Sequence, residues 1–272
     1  KSANQSFYED PQLILEELNI RVIKQQKKFD NTWNRIQKDM AKQYVFIKTS
    51  EELSLEQQQF VSEYYQDEVE SNVIPLILDD VRSMPYIRDK SLYLGISMGK
   101  SEWQYETKFA LIEIPTSQNG RFVQLPSPKD EKHIILLEDV IKFNLPLIFS
   151  YFGFDVFHAH VFKVTKDAEF DIDNDINTTL VEKISKGVKN RRKGKPTRFI
   201  FDQEMDPKLV EFLIKKLNLS KKDSIIPGQK IHNFKHFMDF PNVFKSYHQP
   251  QERTSFPHPY FQNYERVTDT VL

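Results

Sequence analysis

The apolar positions of this 272-residue chain change their period near residue 44. Upstream, Ile14, Leu18, Val22, Phe29, Trp33, Ile36 and Met40 recur at three- and four-residue steps, and Gln25 is the break in the stripe. That spacing marks one face of an α-helix. Asp10-Pro11 supplies its start, with Asp as N-cap and Pro at the first helical position. At ~1.5 Å per residue the helix is predicted to run roughly 50 Å. A single apolar stripe must pack on something. The candidates are the rest of this chain and a segment upstream of Lys1.

Downstream the period shortens. Tyr44–Lys48 reads as a strand, and Ser54 with Gln57 forms a capping box for a helix that carries Phe60, Val61, Tyr64 and Tyr65 to about Ser71. Short strands separated by turn residues are predicted at Leu92–Met98, Lys108–Ile114, Arg121–Leu125, His133–Leu137, Val156–Val164, Thr197–Asp202 and Ser224–Ile226. Helices are predicted at Glu138–Phe149, Ile176–Lys189 and Pro207–Leu217. Alternation stops at Pro227-Gly228, a turn signal. Strands mixed with helices and antiparallel hairpins indicate an α+β domain up to residue 243. The polar stretch beyond Pro241, with Pro250, Pro257 and Pro259, reads as a connector.

Composition narrows the classes. Hydrophobic residues at 39% and charged residues at 28% are within the globular range, and 22 Phe indicate a packed core. A net charge of −1 excludes a globally basic nucleic-acid binder but leaves room for a local patch. The absence of cysteine excludes a disulfide scaffold and cysteine–zinc sites. No apolar run reaches the ~18–20 residues that span a bilayer, and no signal peptide is visible. Lys1 and the unfinished apolar stripe Val267, Val271, Leu272 are read as cuts inside a longer protein.

Three patterns could carry chemistry. His158 and His160 share one face of a strand, but a zinc site needs a third ligand and none stands at a convincing spacing, so half-exposed strand residues are expected. Asp171, Asp173, Asp175, Asn177 and Glu182 mimic a calcium loop, but Ile176 replaces the turn glycine and a helix starts there. Acidic residues at a helix start explain the pattern without calcium. The basic run Lys186, Lys189, Arg191, Arg192, Lys193, Lys195 and Arg198 lies between a helix and a strand. Clustered Lys and Arg attract polyanions, with affinity that falls as salt rises. Arg191, Arg192, Lys193, Lys195 and Arg198 are therefore the candidate polyanion contacts, against the plainer reading of a solvated loop. A GxxxxGK[ST] phosphate loop, a Gly-rich kinase loop, a serine elbow and a Cys–His pair are all missing from the sequence. Asp79-Asp80 are adjacent, so their side chains diverge.

One segment goes beyond composition: Asp223 to Val243, with Pro227-Gly228, His232-Asn-Phe-Lys235, Phe237 and Phe240-Pro-Asn242. It resembles the polyphosphate kinases that work through a phosphohistidine. Further segments resemble that family in order: Leu53–Gln58, Asn72–Ile77, Ala110–Pro115, Arg121–Pro126, His133–Asp139 and Phe162–Glu169, the last with Lys166 where Arg is usual. Thr197–Phe201 fits the family's next strand.

The resemblance implies the end of a helical domain at residues 1–48, the α+β head domain at 49–243, and a connector at 244–272 leading to phospholipase-D-like catalytic domains. It implies ATP-dependent, magnesium-dependent, reversible transfer of a phosphoryl group to polyphosphate in the full-length enzyme. It also implies self-association through the head into a homo-oligomer, and a cytoplasmic location, with peripheral contact at the inner membrane face as an alternative. The catalytic and ATP-binding residues of that family would fall outside this chain. None of His133, His158, His160, His232, His236, His248 and His258 is thus expected to be the phosphohistidine, and the 272 residues are expected to be inactive alone. No nucleic-acid partner is expected. The rival reading is a stand-alone polyanion-binding or interaction module.

Overall fold

A computed structural model describes residues 11–78, 84–102, 107–166, 194–220 and 223–244. The Asp10 cap, Asp79-Asp80, the Asp171–Glu182 pattern, the helix at 176–189, Arg191, Arg192, Lys193, His248, His258 and the end stripe lie outside the described residues. Residues Lys1–Pro241 form one compact unit, and Asn242–Leu272 are a second.

The first helix, α1, spans Pro11–Ala41. Its downstream half buries Trp33 and Met40, while Leu13, Ile14 and Leu18 at its upstream half are exposed. The stripe is therefore only partly covered by this unit. Strand β1 (Val45–Lys48) follows, then α2 (Leu55–Tyr64). Ser54 caps α2 through the predicted box: its Oγ accepts the Gln57 N–H at 3.3 Å and the Gln57 side chain accepts the Ser54 N–H at 3.2 Å. The helix continues past Tyr64 as a π turn (Tyr65–Val69) and a 3-10 turn (Glu70–Asn72), which accounts for its reach to about residue 71.

Six strands make the central sheet: β2 (Pro75–Ile77), β3 (Leu92–Gly99), β4 (Lys108–Glu113), β7 (Val156–Lys166), β8 (Pro196–Asp202) and β9 (Ser224–Gly228). Their order is β2-β4-β3-β7-β8-β9, antiparallel except for the β8–β9 pair. After β4 come a short helix α3 (Thr116–Asn119), β5 (Phe122–Leu125) and β6 (Lys132–Leu136). Here β1 pairs parallel with β6, and β5 pairs antiparallel, giving a separate three-stranded sheet. The predicted α+β class with mixed and antiparallel strands is what the structure shows.

The predicted helix over 138–149 is instead two, α4 (Leu137–Phe143) and α5 (Leu145–Ile148). Pro146 cannot donate to the turn before it and pushes the chain out of the helix at Asn144. A final helix, α6 (Pro207–Lys216), is capped by Asp206, whose Oδ1 accepts the Lys208 N–H at 2.8 Å.

β3 is buried on both faces. Leu92, Leu94, Ile96 and Met98 face α2, α4 and the small sheet, where Val61, Val140 and Ile135 complete one core. Tyr93 faces a second core with Phe162, Val164, Phe199, and Leu209 and Leu213 of α6. Gly95 lies under α6, where a Cβ would stand 3.2 Å from Leu209 Cδ2 and Met205 Cε. The close approach of helix to sheet accounts for glycine there.

The expected stop at Pro227-Gly228 is a correction. β9 runs through both residues, pairing Pro227 with Phe201 and Gly228 with Asp202. Because β9 is an edge strand, the missing Pro227 N–H removes no ladder bond. The chain bends only after Gly228, and residues 229–240 then cross toward α1 and the small sheet.

Candidate functional site

The crossing segment brings together groups that are distant in sequence. Asn233 takes a left-handed conformation (φ 57°), which asparagine tolerates better than most residues, and starts a 3-10 turn over Phe234–Asp239. The three-residue phenylalanine spacing places rings along one side of that turn. Phe234 and Phe237 meet Trp33 at 5.9 and 4.9 Å between centroids, and Phe237 and Phe240 meet Phe122 at 4.9 and 5.1 Å. These rings tie α1 to β5. Next to them a buried ion pair fastens the segment to the small sheet: Arg121 Nη2 donates to Glu138 Oε1 at 2.6 Å and Nη1 donates to the His232 carbonyl at 2.5 Å. The guanidinium also lies 5.7 Å from the Phe237 ring.

A cationic group sits beside this knot. Lys163 of β7 donates to Asn233 Oδ1 at 3.3 Å. It is held below the usual lysine range, first by burial and then by the positive charges of Arg198 and Lys235, against the opposing pull of Asp89. Lys163 pairs with Ile200 and Thr165 with Arg198, so by strand alternation Lys163 and Arg198 share a face of the sheet. The Arg198 Nε is buried and has no hydrogen-bond partner among the described residues.

Of the predicted polyanion residues, Arg198 enters this group. Lys195 is exposed and lies 3.7 Å from Asp223, and Arg191, Arg192 and Lys193 lie outside the described residues. Lys163 and Lys235 carry no sequence signal as contacts. Lys163 stands in a strand 35 residues before Arg198, and only the β7–β8 register brings the two together.

The charge reverses at the other end of β8. A cleft of about 320 Å³ opens between α1, β1 and the turn after β9, lined by Asp30, Asp139, Asp202 and Glu204 against Lys48 and Lys230. This acidic excess repels phosphate, so this cleft is not where a polyanion would sit. Burial pushes the Asp139 carboxyl up to about 6, against the pull of Lys142. Burial also acts to raise Asp202, but bonds from His160 and from the Glu204 N–H overcome it and hold that carboxyl low.

The family model described as the polyphosphate kinase middle domain matches residues 56–240. Polyphosphate kinase of Vibrio cholerae is 34% identical over 262 residues, covering 95% of this chain and 37% of its own length. Polyphosphate kinase of Escherichia coli K12 is 33% identical over 237 residues, covering 86% of this chain and 34% of its own. The chain thus spans little more than a third of the curated relatives it matches. The crystal structure of polyphosphate kinase from Porphyromonas gingivalis superposes with a TM-score of 0.70 at 21% identity, over 91% of this chain and 34% of that one. It shares the fold.

Proposed function

This chain belongs to the polyphosphate kinase family, and from that premise we propose that it is a non-catalytic, polyphosphate-contacting part of an enzyme that moves the ATP γ-phosphate onto polyphosphate through a phosphohistidine. The observation that supports polyphosphate contact is the clustering of Lys163, Arg198 and Lys235 on one side of the sheet end and the crossing segment. A polyanion placed among these cations relieves their mutual repulsion, and the partial burial strengthens each attraction. Arg198 can grip a phosphate oxygen by direct donation, while the two lysines act as point charges.

The group fits phosphate oxygens. It does not fit the magnesium ion of the family reaction, because like charges exclude a divalent cation. No step is assigned to ATP or magnesium on these residues. In this reading the nucleophile and the groups that hold the transferring phosphoryl belong to other parts of the enzyme.

The test is ATP-dependent polyphosphate synthesis by the purified 272-residue chain with magnesium. No product above background is expected, and robust turnover would overturn the non-catalytic role. Self-association is part of the same reading. Sedimentation reads it directly, and a monomer at every concentration would remove it. Among the described residues no helix is long and apolar enough to cross a membrane.

A further inference from the structure

We propose that His160, Asp202 and Glu204 form a binding site for one divalent transition-metal ion of the zinc or cobalt kind. The donor atoms of this imidazole and these two carboxylates all lie within 4.8 Å of one another. His160 Nδ1 and Asp202 Oδ2 stand 3.2 Å apart. Two ligands at ~2.1 Å from one metal are separated by about 3 Å, so this pair is already at ligand spacing. The third donor needs a small inward movement. Glu204 can make it, because its side chain is 63% exposed and its ion pair with Lys230 is long, at 4.0 Å.

The local backbone prepares the central ligand. β8 ends at Asp202, and the turn that follows lets Asp202 Oδ1 accept the Glu204 N–H at 3.0 Å. That bond fixes the carboxylate while its other oxygen faces His160, the kind of outer support that orients metal ligands. The Asp202 side chain is 2% exposed, whereas Glu204 and Asp202 both line the acidic cleft, which gives an ion a way in. A second imidazole stands close by. Gly228 pairs with Asp202, a Cβ on Gly228 would lie 3.5 Å from His232 Cε1, and the His232 Nε2 is buried with no partner among the described residues. An imidazole donor selects transition metals over magnesium, which prefers oxygen alone. The site is independent of the polyphosphate reading. It uses different residues, and its failure would leave that reading untouched.

The test uses the metal-free 272-residue chain titrated with Co²⁺, followed by visible absorption, with Zn²⁺ as competitor in calorimetry. One ion per chain is expected to bind, and excess Mg²⁺ is expected not to displace it. Glu204→Gln and His160→Gln should each weaken binding at least about tenfold, as loss of a ligand outweighs loss of an outer-shell partner. His158→Gln, on the exposed neighbour in the same strand, should leave it unchanged. Absence of saturable binding, binding undiminished in Glu204→Gln, or loss confined to His158→Gln would overturn the site. Glu204 is exposed, so its variant decides the question even if His160→Gln fails to fold.

Discussion

Arg121→Met is expected to destabilise the chain by about 3–5 kcal/mol, the usual effect of removing one partner from a buried ion pair. The two side chains are 1% and 3% exposed, so Glu138 would keep a desolvated charge with no guanidinium beside it. The His232 carbonyl would lose its 2.5 Å donor at the same time. Arg121 holds the crossing segment against the small sheet, so loss of the bond should also loosen the aromatic seam with α1. The double variant Arg121→Met, Glu138→Leu is expected to recover much of the loss, because it removes the stranded charge as well. Denaturant midpoints at constant slope read both variants. A single variant within about 1 kcal/mol of the parent would show that the pair is not buried as described.

The second large effect is one of pH. Burial raises the Asp139 carboxyl from 3.8 to about 6 in the folded chain, and Lys142 at 3.5 Å offsets only part of that. The raised value means that the unfolded chain gives up this proton first. Below about pH 4 both states hold it, and the group has no effect on stability. Between about 4 and 6 the unfolded state ionises while the folded state resists, so stability falls as pH rises. Above 6 the full penalty persists. A carboxyl raised this far costs the folded chain about 3 kcal/mol once it is ionised. Asp139→Asn removes this dependence and is expected to stabilise the chain at pH 8 by up to about 3 kcal/mol relative to pH 4. Unfolding curves for parent and variant at the two pH values check it. Parallel pH profiles would contradict the burial of Asp139 as an ionisable group.

The elements and the fold class are legible wherever one side of a segment faces a core. The stripe Trp33, Ile36, Met40 marks α1, and the Ser54–Gln57 box marks the start of α2. Errors fall where local signals depend on neighbours. Pro227 reads as a breaker in isolation, but an edge strand tolerates it, and nothing in the local sequence says that β9 is an edge. Pro146 divides the helix after His133–Leu137, yet the apolar run on both sides conceals the break.

The site is less legible for a physical reason. Electrostatic groups are assembled by strand register, which hydrophobic periodicity does not encode. Arg198 stands out because it ends a basic run. Lys163 and Lys235 do not, because neither stands in a run of basic residues. A third partner for His160 is absent at short spacing, and Asp202 lies 42 residues away. Arg121 and Glu138, 17 residues apart, read as surface charges until the fold buries them together.

The most direct test of polyphosphate contact is the affinity of the 272-residue chain for long-chain inorganic polyphosphate across a salt series. It compares the parent with the triple variant Lys163→Met, Arg198→Gln, Lys235→Gln, after matched unfolding curves show that both are folded. Tight binding that weakens steeply with salt is expected in the parent, with an affinity at least about tenfold lower in the variant and a log–log salt slope flatter by roughly one per cation removed. Identical affinities and identical slopes for the two proteins would contradict polyphosphate contact.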